Sequence, residues 1–378
     1  MTTSTNATTT NALSDFIKHE IETHDGYISF STFMEAALYH PQYGYYCREE
    51  FAIGRHGDFT TAPEMSVLFA KCIARQCAQV FEHLGCAAIL EVGAGTGKLA
   101  QDLIAELKKM GHMSLSYFIY EPNLPLREKQ KTMLQHETVM WLDILPDAFE
   151  GVIIANEVLD ALPVHCFRIE ENQIKERCVT WQNNTFAWQL TEPTSHLLTP
   201  YATKLRELYM LPVGYESEIN LRLDAFIHSL TTALHKGVML LFDYGYGQRE
   251  YYHPERRRGT LSCFYQHRYH HDPLILIGQQ DMTAHVDFTR VVENAIETAC
   301  SLEGFTSQAA FLLSCGLMTL AMEEEKNLSP TDSFQVHQAI KILTLPTEMG
   351  ERIKVMALGK KIELALLGFS LQDRRRDL

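Results

Sequence analysis

The sequence predicts an α/β fold, a mostly parallel sheet covered by helices on both faces. Three observations predict it. From residue 87 onward, short apolar runs alternate with helical patterns. Each run ends in an acidic or polar residue. The first run passes directly into Gly93-Ala94-Gly95-Thr96-Gly97, a strand-to-helix turn with glycines at alternate positions. Glycine allows a tight turn and lets a ligand lie against bare backbone.

Residues 1–12 are almost all Thr, Ser, Asn and Ala and read as a disordered tail. A helical addition spans 13–84. Asn11 or Ser14 caps a first helix, whose Phe16, Ile17 and Ile21 share a face. Ser29 or Ser31 starts a second. A loop with four tyrosines follows at 39–46, then a helix from Ser66 through Leu84. The core, 85–365, has strands at 87–91, 117–120, 138–142, 152–155 and 238–242. Their ends carry Glu91, Glu121, Asp143, Asn156-Glu157 and Asp243-Tyr244. Ligands of open α/β sheets bind outside such carboxyl ends. An insert at about 164–215 alternates in period two across 164–169, 174–181 and 186–190, which predicts a small antiparallel sheet. Helices are predicted at 99–109, 126–135, 215–234, 288–300 and 308–317, a late strand at 353–358, and a solvated charged tail at 366–378.

A net charge of −14 argues against nucleic-acid binding, which leaves a basic footprint. No apolar run reaches the ~18 residues of a membrane span. The first residues lack the features of a signal or transit peptide. Nine cysteines without a C-x-x-C predict reduced thiols in a cytoplasmic setting. His267, His270 and His271 lack ligand spacing, so no metal is expected, and Arg256-Arg257-Arg258 reads as a solvated run.

The glycine spacing bears on the cofactor. A dinucleotide fold shows G-x-G-x-x-G; here the third glycine, Gly97, comes one position early. S-adenosylmethionine (SAM) has no phosphates and needs no helix N-terminus aimed at a pyrophosphate. Backbone of the glycine loop, at Gly93, Gly95 and Gly97, can lie along its amino-acid end. Glu91 faces the ammonium or organises the loop, Glu121 accepts the ribose hydroxyls, and Asp143 meets the adenine amino group. An NAD(P) dehydrogenase is disfavoured by the same spacing.

Longer motifs stand in order: Tyr43-Gly44-Tyr45-Tyr46, Gly57-Asp58-Phe59-Thr60-Thr61-Ala62-Pro63-Glu64, Glu91 through Gly97, Asn156-Glu157-Val158-Leu159-Asp160-Ala161-Leu162-Pro163-Val164, Phe242-Asp243-Tyr244-Gly245, Gly259-Thr260-Leu261, Asp281-Met282-Thr283-Ala284-His285-Val286-Asp287-Phe288 and Gly304-Phe305-Thr306-Ser307-Gln308. Over residues 13–365 the chain closely resembles the MidA-like family of SAM-dependent methyltransferases. The resemblance implies a class I, Rossmann-like methyltransferase fold with a mostly parallel seven-stranded sheet, a helical N-terminal addition and an antiparallel β insert. It implies that Gly57, Asp58, Thr60 and Thr61 form a lid over SAM; Thr61 also reads as an N-cap. Eukaryotic members are mitochondrial assembly factors of respiratory complex I that methylate arginine on a complex I subunit. Without an Arg-rich presequence, this chain looks like a bacterial, cytoplasmic relative.

Methyl transfer from a sulfonium is an in-line displacement, so the protein positions the nucleophile and keeps water out. A guanidinium stays protonated and must be held by carboxylates. Asn156 and Glu157 sit beside the expected methyl position, Asn156 counting also among the cofactor-binding residues, with Glu157 the main guanidinium ligand and Asp160 a lesser one or a turn brace. His285 and Asp287 form a candidate orienting or proton-accepting pair, or His285 is a buried core residue. Asp243 and Tyr244 line the channel or brace a loop. The alternative reading is a SAM-binding assembly chaperone with little catalysis.

Overall fold

In the computed structural model, described for residues 2–48, 61–326 and 328–378, an eight-stranded sheet organises the chain: seven strands in one row, and a two-residue strand, Val286–Asp287, paired parallel to residues 245–246 at its side. The seven are β1 (Ala88–Val92), β2 (Ser116–Tyr120), β3 (Val139–Leu142), β4 (Phe149–Asn156), β5 (Leu234–Tyr246), β6 (Ser301–Ser307) and β7 (Ile353–Lys360). The order across the sheet is β6-β7-β5-β4-β1-β2-β3. β5, β4, β1, β2 and β3 run parallel, while β7 is antiparallel to both β5 and β6.

Alternation along the strands feeds two cores. Ile89, Tyr117, Val152, Ile154, Leu240 and Phe242 point to one face, under the helices Val67–Leu84 and Lys98–Lys109. Leu90, Val92, Ile153, Met239 and Leu241 point to the other, under Leu223–Ala233 and Phe288–Glu297. Burial on both faces explains why these strands are apolar throughout.

The N-terminal helices and the insert form one body beside this sheet. Tyr27–Ser29, His165–Ile169, Ile174–Gln182, Thr185–Thr191 and Glu216–Ile219 make an antiparallel sheet. The turn at Asn183-Asn184 places both residues at positive φ, 49° and 60°, as a two-residue hairpin requires. Leu13, Ile17, Phe30, Phe33 and Met34 pack on Val164, Cys166, Val179 and Phe186. Ser29 caps the second helix, accepting from Thr32 N, and Ser66 caps Val67–Leu84, accepting from Leu68 N. All nine cysteines are free.

Several expectations need correction. The first helix runs Thr2–Thr23, so it starts inside the stretch that reads as a disordered tail. The helix expected at 215–234 divides into the strand Glu216–Ile219 and the helix Leu223–Ala233. Helices Leu198–Tyr209 and Pro330–Thr344 and strand β6 fall where the sequence pattern predicts no element. β6 contains Gly304 at a register shift, which hides its alternation. The C-terminal tail is not simply solvated: Arg374 N donates to Phe305 O, and its guanidinium pairs with Glu351 at 2.9 Å.

Candidate functional site

A cavity of about 1590 Å³ opens outside the carboxyl ends of β1, β2, β4 and β5. Its walls are the glycine loop, the segments 120–126 and 156–163, the N-terminal residues Tyr39, Tyr46 and Thr61–Met65, and residues from 222 to 285.

The glycine loop is built as its spacing requires. Gly93, Gly95 and Gly97 all have positive φ, 66°, 54° and 88°. A Cβ on Gly93 would lie 3.0 Å from Val158 Cγ2. Gly93 and Gly95 line the cavity. Gly97 does not; it takes the N-cap position of helix Lys98–Lys109 and faces Gln130. Gln130 ties the neighbours together: its amide donates to Gly95 O at 3.0 Å and to Glu121 Oε2 at 3.1 Å. Trp141 Nε1 donates to Gln130 Oε1 and so fixes that amide.

Glu91 is buried on the cavity wall and accepts a bond from Tyr117 Oη at 2.7 Å. Burial pushes its carboxyl up to about 7, against the opposing bond from Tyr117. Glu121 is also buried, with Oε1 accepting from Asn123 N at 3.0 Å. Burial raises its pKa too. Each Glu121 oxygen keeps a lone pair for a further donor. Asn123 caps the helix Leu124–Met133, accepting from Leu126 N, and its amide donates to Tyr46 O. The N-terminal addition thereby joins this wall of the cavity. Asp143 stands apart. It is exposed, lies outside the cavity lining and pairs with Arg127 at 2.6 Å.

The segment Thr61–Met65 approaches the glycine loop from above. Thr96 Oγ1 donates to Glu64 Oε1 at 2.6 Å. Thr61 lines the cavity and holds the N-cap position of Ala62–Met65, but its side chain makes no capping bond. Gly57, Asp58 and Thr60 lie outside the described residues.

At the end of β4 the chain turns sharply. Glu157 has φ 52°, unusual for a residue with a side chain, and its N–H donates to Phe242 O at 2.8 Å. Its Oε1 accepts from Asn156 Nδ2 at 3.2 Å and from Ala62 N at 3.4 Å. Asn156 Oδ1 is buried without a partner. Asp243 braces the turn. Its Oδ2 accepts from Val158 N and Leu159 N, and Oδ1 from Tyr244 N. Asp243 itself is off the cavity wall, whereas Tyr244 is on it.

Glu157, Asp160 and Asp281 share this wall. Burial, then the charge of Asp243, pushes the Glu157 carboxyl up to about 8. Asp160 is raised well above the ordinary range by burial and the charges of Asp243, Glu157 and Asp281. Asp281 accepts from Tyr46 Oη at 2.6 Å. Such a cluster is under mutual repulsion that a cation relieves.

His285 also lines the cavity, against Tyr246 at 5.1 Å and Tyr244 at 6.1 Å between ring centroids. Burial and the cations Arg256, Lys354 and Arg352 push it down to about 3, so it is neutral near pH 7. Its Nδ1 is buried without a partner. The expected pairing with Asp287 does not form. Asp287 instead caps Phe288–Glu297, accepting from Arg290 N at 3.2 Å, and accepts from Gln248 Nε2 at 2.8 Å.

Sequence reasoning passes over Tyr39, Tyr46, Asp281, Arg222 and Arg256 as site residues, and all five are on the cavity wall. The four-tyrosine loop and the 281–288 motif are the signals for Tyr39, Tyr46 and Asp281. Arg256 reads as part of a solvated run, and His267 and His271 as surface; all three face the cavity. Arg257 and Arg258 are exposed as expected.

Three comparisons bear on this geometry. Residues 72–306 match the family model for S-adenosyl-L-methionine-dependent methyltransferases called Methyltransf_28. A Burkholderia thailandensis protein of the COG1565 superfamily, crystallised with S-adenosyl-homocysteine, is 35% identical, with 99% of this chain and 98% of that chain covered and a TM-score of 0.91. A native crystal structure from the same organism gives 34% identity, the same coverage and a TM-score of 0.89. Among curated proteins, the arginine methyltransferase NDUFAF7 homolog of Drosophila melanogaster, mitochondrial, is 26% identical over 88% of this chain and 82% of its own. Its Homo sapiens counterpart is 27% identical over 88% and 80%.

Proposed function

We infer the acceptor from a premise that the family match supplies: the chain belongs to the Methyltransf_28 family and is a SAM-dependent methyltransferase. The proposed acceptor is an arginine of a protein, a respiratory complex I subunit being the partner the family resemblance suggests.

The observation that carries this reading is the carboxylate cluster beside the glycine loop. Glu157, Asp160 and Asp281 line one wall, and the Glu157 carboxyl, raised to about 8, holds a proton near pH 7 that an approaching cation would displace. A cationic acceptor gains most from such a wall, because it relieves the repulsion among the carboxylates. A guanidinium donates bidentate hydrogen bonds to it. The names of the NDUFAF7 relatives, as protein arginine methyltransferases, support the same acceptor class.

The residues present suit SAM. The bare backbone of Gly93 and Gly95 accommodates its amino-acid end, Glu121 has lone pairs for the ribose, and Asn156 Oδ1 is a buried acceptor in want of a donor. When bound, SAM supplies an electrophilic methyl group. Glu157 then orients the guanidinium and, with a carboxyl raised to about 8, is suited to take the proton the acceptor nitrogen loses. Asn156 holds the Glu157 carboxylate, and Asp160 places a second carboxyl group on the same wall. His285, neutral and unpartnered at Nδ1, orients the acceptor rather than storing a proton.

The test incubates the protein and labelled SAM with the purified quinone-site subunit of bacterial complex I, followed by mass spectrometry. Methylarginine is expected in wild type and is lost with Glu157→Gln. Methyl groups on any other residue type would overturn the acceptor; undiminished labelling in the variant would remove Glu157 from its role. SAM binding without transfer to any arginine substrate would favour the chaperone reading.

A further inference from the structure

The acceptor cavity has two electrical ends. Glu157, Asp160 and Asp281 form the acidic end, and Arg256 and Arg352 line the same cavity near His285. Tyr244 lies within electrostatic reach of both, since Glu157, Asp160 and Arg352 all act on its hydroxyl. The two ends are therefore neighbours across one aromatic wall.

The basic end is unsatisfied. The Arg256 guanidinium lies 4.1 Å from the centroid of the Tyr246 ring, and His285 packs on that same ring. Stacking holds the guanidinium plane but leaves its N–H donors unused. Arg256 Nε is buried without a hydrogen-bond partner, as is His285 Nδ1. Among the described residues neither Arg256 nor Arg352 forms an ion pair, whereas Arg374, from the C-terminal tail, takes Glu351 beside Arg352. Glu218, a buried carboxylate that feels the charge of Arg256, forms no ion pair with it; its Oε1 accepts from Thr260 N at 2.6 Å and from Tyr251 Oη at 3.0 Å. Two cations line this cavity without an ion-pair partner among the described residues, and Arg256 has a buried Nε left over, which marks a place for an anion of the substrate.

We propose that this end of the cavity binds a carboxylate of the acceptor, so that the methylated segment carries Asp or Glu close to its target arginine. The inference rests on the arginine reading above. The acidic wall takes the guanidinium while Arg256 and Arg352 take the neighbouring carboxylate, which fixes the direction in which the segment lies. Repulsion enforces the same choice: a reversed segment would set like charges together at both ends.

The test uses the full chain loaded with S-adenosyl-homocysteine and peptides with one arginine. A single Glu is placed one to four residues away on either side, and each peptide is paired with its Gln counterpart. Calorimetry should show the Glu peptide binding about tenfold tighter at one spacing, the scale of one charge-assisted hydrogen bond. That preference should weaken in Arg352→Gln, an exposed position where misfolding does not confuse the result, and vanish in the double variant with Arg256→Gln. Equal affinities at every spacing in wild type, or a preference that survives the double variant, would overturn the proposal. Replacing the peptide's arginine by glutamine separates the two readings. A Glu preference that persists there, with no gain from arginine itself, keeps the anion subsite and retires the arginine acceptor.

Discussion

At the scale of single residues, Glu157 combines a strained backbone with a proton held against its ordinary preference. Its raised pKa has a consequence for stability. The folded chain keeps a proton up to about pH 8 that an unfolded chain releases near 4.5. The stability this group contributes is therefore whole below about pH 4.5 and is lost as pH rises through about 8. Glu157→Gln removes that loss. In the absence of SAM its melting temperature should exceed wild type at about pH 8.5 and match it near pH 5, in parallel thermal scans. His285 has the opposite sign. Held neutral down to about pH 3, it costs stability as pH falls below about 6.5, where an unfolded chain protonates it. Gly93 gives a sharper prediction. It sits at φ 66°, and an added methyl group would meet Val158 at 3.0 Å. Gly93→Ala should therefore cost about 1–2 kcal/mol and weaken SAM binding more than about tenfold in calorimetry.

At the scale of elements, two polar side chains act as fasteners rather than ligands. Asp243 collects three backbone N–H groups and so sets the turn that aims Glu157. Asp243→Ala would strand those donors in a buried place, and urea unfolding should show a loss of about 2–3 kcal/mol. Asn123 is the second joint. It caps Leu124–Met133 and donates to Tyr46 O. Asn123→Ala should cost about 1 kcal/mol and raise the KM for SAM with little change in kcat, since it loosens the cofactor wall and leaves the acidic wall in place. These joints also show what can be read from the sequence. Glu91, Glu121 and Glu157 are legible because a strand end delivers them to the cavity by topology alone. Asp143 ends a strand as well, yet Arg127 from the adjoining helix claims it. Asp287 reads as a partner of His285, but the helix after it takes one of its oxygens and Gln248 the other. Neither competitor is visible in spacing.

At the scale of the whole molecule, the cavity is made where the methyltransferase sheet meets the N-terminal addition and the insert. The sheet carries the side proposed to bind SAM, and its alternation of strands and helices makes it legible. The acceptor side draws on residues far apart in sequence: Tyr46 bonds to Asp281, Tyr39 Oη donates to Ala161 O, and Glu35 pairs with Arg222 at 2.8 Å. No local pattern reports such contacts, which is why Asp281 and Arg256 escape a reading of the sequence. Pairing across the cavity mouth also predicts that the ligand steadies the assembly. SAM at about a hundred times its Kd should add about 2.7 kcal/mol and raise the melting temperature, while NAD should leave it unchanged.

The central claim is that Glu157 holds the acceptor guanidinium as a carboxylate. It is tested most directly by calorimetry of an arginine peptide binding to the S-adenosyl-homocysteine-loaded protein between about pH 6 and 9, a range that brackets the raised pKa of about 8. Binding should release a proton and tighten as pH rises toward 8, and Glu157→Gln should bind weakly with a flat profile. A flat profile in wild type, or equal affinity in the variant, would contradict the account.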